Sequence, residues 1–492
     1  MVAIDALPDD VLLEIFDFCV DQDPSPLFVL EDLKSEIEAW QALVHVCQRW
    51  RSVVFGSPLR LNLALVCTAY TPSRDTLDIW PPLPLVIWNH GFYRSDSNSR
   101  AECVDNITAV IKCSDRVCRI KLNDIPNSYL EPLLAAIHEP LPELTNLELR
   151  SYEGAVIPDS FLGGSAPRLQ YISLYGIPFP GLPMLLISAT HLVDLQLRNI
   201  PHSGYMSPEA IAVALSAATC LGSLILEFQS PRSFPDRENQ RPPPLTRSVL
   251  PILTCFIFKG VTEYLENLVA RIDAPRLEKF YVTFFNQIIF DIPQLIQFIH
   301  RTPTLKALER ADVIFGEDAA RVKLSSVSSL AAVTSGYREF NLKVPCRDLD
   351  WQVSSLEQVC TSSLPPLSTL EDLYIYKGLY SRPIWKDNIE NALWLELLHS
   401  FPAVKNLYLC QGFAPRIIPA FQELVGFRTT DVLPTLRNIF VEELKPSGSI
   451  QEGIQQFIAT RQVTGHPIAV SRWDHSECDK SWKGVGFHSR FY

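Results

Sequence analysis

The sequence predicts an α/β solenoid: a small N-terminal helical unit followed by a curved parallel sheet with outer helices. Three observations predict it. A six-residue phrase, apolar-x-x-apolar-x-apolar, is clearest at Leu144-Thr145-Asn146-Leu147-Glu148-Leu149 and at Leu169-Gln170-Tyr171-Ile172-Ser173-Leu174. It recurs with its first apolar residue at Val117, Leu144, Leu169, Leu192, Leu221, Leu253, Leu277, Leu305, Tyr337, Leu370, Val404 and Leu436. Steps run from 23 residues (Leu169 to Leu192) to 34 (Leu370 to Val404), and an internal period of this size marks a repeat architecture. The last two apolar residues of each copy, such as Leu195 and Leu197 or Leu407 and Leu409, alternate with a polar or variable one, as a half-buried strand requires. One such strand cannot bury its face alone, so the copies are expected to stack in parallel, the rest of each repeat returning outside the sheet.

The period overlaps that of leucine-rich repeats at its short end and exceeds it at its long end. The expected sheet is therefore leucine-rich-repeat-like. Two copies depart from the phrase: Leu305 is followed by Arg310 where the third apolar residue belongs, and Tyr337 is the most permissive match.

Composition bounds the function. The formal net charge of -12 argues against a nucleic-acid partner, which calls for a basic face. No stretch approaches the roughly 18 consecutive apolar residues of a membrane span, and the N-terminus lacks a basic region before an apolar run. The 12 cysteines are scattered, several (Cys220, Cys255, Cys410) where a small apolar residue would serve, and read as reduced thiols. The expectation is a cytoplasmic or nuclear protein.

The first segment, residues 1–56, does not follow the repeat. Pro8 suits a first helical turn and Asp9 and Asp10 complement the helix dipole, while Val11, Leu12, Ile15, Phe16 and Cys19 form an apolar stripe. After a break at Pro24 and Pro26, a second series runs through Leu33, Ile37, Trp40, Val44 and Cys47 to Trp50. The opening from Leu7 to Phe16 and the closing Val44-His45-Val46-Cys47-Gln48-Arg49-Trp50-Arg51 together resemble an F-box, the motif by which substrate receptors dock on the Skp1-type adaptor of cullin–RING ubiquitin ligases. The spacer from Asp17 to Ala39 is longer than the short turn usual there. The resemblance implies adaptor contacts from Leu7, Pro8, Val11, Leu12, Ile15, Phe16, Val44, Val46, Cys47 and Trp50. It covers this segment by motif, and the rest is similar to fungal F-box proteins with degenerate leucine-rich repeats by architecture. The alternative for the same helices is a cap that closes the solenoid core.

Residues 57–116 read as a linker and first strand, with Leu83–Trp88 opening the sheet, and the repeats occupy 117–445. About residues 230–247, rich in proline from Pro231 to Pro244, form an insertion loop. Residues 446–492 form a C-terminal cap: a helix over Ser449–Arg461, a strand near His466–Val470, and an aromatic tail with Trp473 and Trp482 that packs over the last repeat.

No catalytic, cofactor or metal constellation is expected. Cys103, Cys113 and Cys118 lack a second pair or histidines at zinc spacing, and Lys483-Gly484-Val485-Gly486 lacks the context of a phosphate loop. The F-box resemblance implies no chemistry in this chain, only the positioning of a substrate near a charged enzyme carried elsewhere. Specificity is expected on the curved inner face, from the residues that alternate with the buried ones: Arg150, Tyr175, Arg198, Glu227, Lys259, Tyr281, Tyr374, Tyr376, Tyr408 and Phe440. Aromatic and arginine side chains of this kind anchor many interfaces, which points to a protein substrate on the C-terminal half of that face. The reading is an F-box substrate receptor; its rival is a free-standing leucine-rich-repeat scaffold.

Overall fold

The computed structural model describes residues 7–20, 40–58, 60–68, 77–89, 97–231, 246–285, 290–306, 308–326, 337–361, 365–378, 389–410, 412–424, 430–442 and 449–473. The expected apolar positions Leu33 and Ile37, most of the insertion loop and the tail beyond Trp473 lie outside the described residues. The chain divides into two units, residues 1–206 with 213–221, and 207–212 with 222–492.

In the first unit the strands β1 (Leu65–Thr68), β2 (Leu85–Asn89), β3 (Val117–Asn123), β4 (Asn146–Arg150), β5 (Tyr171–Tyr175) and β6 (Asp194–Ile200) pair in chain order, all parallel. The sheet thus opens one strand earlier than Leu83–Trp88. Leu65, Val66 and Cys67 are buried, but their short run lacks the repeat phrase.

The second unit contains β7 (Ser223–Phe228), β8 (Ser248–Val249), β9 (Cys255–Gly260), β10 (Ile272–Asp273), β11 (Lys279–Phe284), β12 (Arg310–Phe315), β13 (Ala319–Ser325), β14 (Glu339–Pro345), β15 (Asp372–Lys377), β16 (Asn406–Leu409), β17 (Asn438–Glu442) and β18 (Ala469–Trp473). Strands β8 and β10 form a separate two-stranded ladder. The main order is β7-β9-β11-β14-β13-β12-β15-β16-β17-β18. It is parallel except around β13, which runs antiparallel to both β12 and β14. Here the expectation of a uniform parallel stack is corrected: the three strands lie in reverse chain order, so β14 joins β11 and β12 joins β15. The two departing copies are the two parallel-facing strands of this insertion. In the Leu305 copy the strand starts only at Arg310 and buries Ala311, Val313 and Phe315.

The repeat phrase has a local cause. Leu144, Leu169, Leu192, Leu253, Leu277 and Leu305 are fully buried, and each donates its N–H to the carbonyl three residues back. The anchor therefore closes a tight turn that feeds the chain into its strand. The residue just before the strand then serves the next repeat. Thr145 O accepts from both Gln170 and Tyr171 N–H at 2.8 and 3.0 Å, Thr254 O from Glu278 and Lys279 at 2.9 Å, and Lys405 O from Arg437 and Asn438 at 2.8 and 2.9 Å. Tyr337 is the exception, half-buried where the other anchors are enclosed.

One face of each sheet packs on helices. Within the second unit Phe258 stacks on Tyr264 of the helix Thr262–Val269, Phe280 meets Phe298 of Pro293–Arg301, and Phe315 meets Trp394 of Asn391–His399. In the first unit Leu147, Leu149, Ile172 and Leu174 share the core with Leu130, Leu133 and Leu134 of the helix Asn127–Ala136. The alternate residues on the other, open face are mostly half-exposed. The C-terminal helix runs over Ser449–Val463, a little past its expected end at Arg461, and β18 (Ala469–Trp473) is shifted toward the C-terminus from the strand expected near His466–Val470.

Candidate functional site

Three helices build the N-terminal segment: Asp9–Val20, Trp40–Val44 and Gln48–Gly56. The closing motif supplies their fastenings. Cys47 caps the third helix, its sulfur accepting from Trp50 N at 3.4 Å. The Arg49 guanidinium donates to Asp9 Oδ1 at 2.7 Å, Arg51 Nε to Val44 O at 3.0 Å, and the Trp50 ring lies 4.7 Å from Phe16. Leu12, Phe16 and Val44 are buried, so these three residues of the expected adaptor set build the unit rather than face a partner. Leu7, Cys47 and Trp50 are half-buried, and Pro8, Val11, Ile15 and Val46 are exposed.

Val11 and Ile15 stand four residues apart and are each 42% exposed; Phe18, three further on, is 80% exposed. This spacing puts them on one helix face. Phe18 is the residue the sequence reading missed, although its interval from Ile15 signalled it. The helices also hold the sheet edge: Trp40 Nε1 donates to Ala64 O at 3.1 Å and its ring packs against Trp80 at 5.2 Å.

On the open face of the second unit, register sets three aromatic rings side by side. Tyr374 pairs with Tyr408 and Tyr408 with Phe440. Their rings stack at 4.0 Å and 4.5 Å, with planes within 4° and 8° of parallel. Trp473 meets Tyr374 and Tyr408 with its edge, at 5.7 and 5.5 Å. Arg310 places its guanidinium 3.7 Å from the Tyr374 ring centre, so the residue that broke the repeat phrase extends the ladder. Trp473 and Arg310 were not foreseen as members of this face, Trp473 because the final strand was expected to stop at Val470. Beside the rings, Asn406 donates to Asp372 and Asn438 to Asn406, both at 2.7 Å. Tyr376, at the next alternate position, is buried.

Next to the ladder, the reversed strands gather charge. Arg310 donates to Asp312 at 2.7 Å and Lys323 lies 3.6 Å from Glu339. Burial pushes the enclosed Asp312 carboxyl above the usual carboxylate range, against the nearby Arg310 charge. Burial opposes the Lys323 charge, yet Glu339 and Tyr337 hold its ammonium above the ordinary lysine range. Tyr281 faces the same cluster, its hydroxyl pushed up by burial and by Glu339.

In the first unit, Arg150 lies 4.7 Å from the Tyr175 ring and 5.8 Å from that of Tyr152, and Arg198 follows Tyr175 in register on β6. Glu227 and Lys259 pair in register on β7 and β9 of the second unit.

Among the described residues no group of three or more histidine, cysteine, aspartate or glutamate side chains is placed to hold a metal ion, and no helix is long and apolar enough to cross a membrane. No protein-family model matches the chain, and no curated protein does. Among solved structures, the leucine-rich repeat-containing protein LegL7 from Legionella pneumophila is similar at 12% identity and a TM-score of 0.24, over 80% of this chain and 97% of that one. The class rests on the strands themselves. Repeated parallel strands, buried anchors and returning helices define a leucine-rich-repeat-like α/β solenoid, an architecture that typically serves as a protein-binding scaffold.

Proposed function

We propose that this chain is the substrate-recognition subunit of a Skp1–cullin–F-box-type ubiquitin ligase. Its N-terminal helices dock on the Skp1-type adaptor, and the open face of the solenoid holds the protein to be ubiquitinated, in the cytoplasm or nucleus. The observation that carries the first half is the partition of the N-terminal motif. Leu12, Phe16 and Val44 are spent on the interior, while Val11, Ile15 and Phe18 present a second apolar face. A cap needs one apolar face; a docking unit needs two, and exposed contiguous apolar surface usually marks an interface. The second half is supported by the ladder of Tyr374, Tyr408 and Phe440, since rigid, half-buried aromatic side chains are the usual anchors of protein interfaces. The chain itself performs no bond chemistry in this reading, and its contribution is proximity.

Tagged full-length protein expressed in a eukaryotic cell is expected to co-purify a Skp1-type adaptor and a cullin. The double substitution Ile15→Asp and Phe18→Asp should abolish that recovery without lowering the melting temperature, because both side chains are exposed. A folded wild-type chain that recovers no adaptor would overturn the proposal. It would favour the second reading, a free-standing scaffold with capping helices, for which the Trp40 contacts with Ala64 and Trp80 speak.

A further inference from the structure

The reversed strands place charge where a uniform stack would not. On the open face of the second unit, Arg321 of β13 stands directly opposite Lys343 of β14. Lys343 is in register with Thr283 of β11, and Thr283 with Lys259 of β9. All four side chains are half-buried and share one row across four neighbouring strands. At about 4.8 Å per strand the row is about 14 Å long.

Like charges opposite one another in a sheet are destabilising. Here the cost is visible at Lys343: burial holds its ammonium below the ordinary lysine range, and Arg321 and Lys259 add to that, against the opposing pull of Asp318. Asp318 is exposed, and the other carboxylate of this row, Glu227, stands beside Lys259 at its far end. Three cations thus converge on half-buried positions of a chain whose net charge is -12. An anion seated between Arg321 and Lys343 would remove the repulsion. The arginine offers a planar fork suited to carboxylates and the lysine a point charge.

We infer that this open face binds an acidic polypeptide segment, its carboxylates on the Lys259–Lys343–Arg321 row and a following apolar side chain on the Tyr374–Tyr408–Phe440 ladder. The inference rests on the reading of the open face as the substrate surface and names the chemistry of what it takes. Strand β15, where the ladder begins, is two positions from β13. The Arg321 row meets β15 at Tyr376, two residues from Tyr374 along the strand, so the path is about 12 Å, or a little over three residues of extended peptide. The segment therefore carries its acidic run about three residues before an aromatic or aliphatic one.

The test uses the full chain and two fluorescent synthetic peptides. One has a run of glutamates followed about three residues on by tryptophan; its twin has glutamine for every glutamate. The wild type should bind the glutamate peptide about tenfold more tightly than the twin, with the difference shrinking as salt rises. Arg321→Gln with Lys343→Gln should erase that preference, while the melting temperature holds or rises because a like-charge pair has gone. Tyr408→Ala should weaken both peptides alike. Equal binding of the two peptides by the wild type, binding of neither, or a preference that survives the double substitution would each overturn the inference. So would tighter binding of a single-stranded oligonucleotide than of the glutamate peptide. Tyr408→Ala without effect on either peptide, alongside a preference lost in the charge variant, would keep the acidic row and remove the aromatic ladder from the substrate surface.

Discussion

Single residues carry more of this fold than their size suggests. Gly176 follows β5 with φ of 68°, and a Cβ there would lie 2.3 Å from the Ser151 carbonyl oxygen. Both a left-handed backbone and a collision with main chain oppose any side chain, so Gly176→Ala should cost about 2–4 kcal/mol, read as a fall in the urea midpoint. Arg461 is wholly buried and donates to the carbonyls of Leu433 and Leu436 at 3.1 and 3.4 Å. Arg461→Met keeps the stem and strands the carbonyls, at a cost of about 2–3 kcal/mol by the same measurement. Glu266 accepts from Gln294 N and Leu295 N, both at 2.7 Å, and burial pushes its carboxyl up to about 7 from 4.5. A folded value above the unfolded one means the stabilisation is complete below about pH 4.5 and is lost as pH rises through about 7. Melting temperatures of the wild type should therefore decline relative to Glu266→Gln across that interval, and parallel curves would refute the assignment.

At the scale of the element, the repeat depends on its anchor turn. Leu169 is fully buried and donates its N–H to Ala166 O at 3.1 Å before β5 begins. Leu169→Ala should cost about 3 kcal/mol, because it empties core volume between two repeats that cannot close over it. Leu305 obeys the same turn, although its strand starts late. The explanation is the hairpin. Arg310 pairs with the buried Asp312, and the antiparallel pairing of β12 with β13 adds Lys323 opposite it. A parallel repeat at that place would leave Asp312 buried without the lysine.

At the scale of the whole molecule, each repeat mainly meets its neighbours, so stability is a sum of local and interface contributions. Calorimetry of the full chain should give a van't Hoff enthalpy well below the calorimetric one, whereas equal enthalpies would indicate a single cooperative block.

From the sequence alone came the solenoid, the strand of each repeat copy but not β1, β8, β10 or β13, the N-terminal helices and the alternation that sets Tyr374, Tyr408 and Phe440 on one face. All of these follow from short-range periodicity, which a sequence displays directly. The tertiary structure decided the rest. β1 has no alternating polar residue and was invisible; the reversal of β12 to β14 depends on long-range pairing; and Leu12 and Phe16 look as suited to a partner as Ile15 until the helices pack. Arg310 read as a defect in its repeat, and nothing in the sequence singled out Lys343. Their neighbours on other strands, about 20 to 60 residues away in the chain, make one an end of the aromatic ladder and the other part of a basic row, because strand pairing brings together what sequence separation hides.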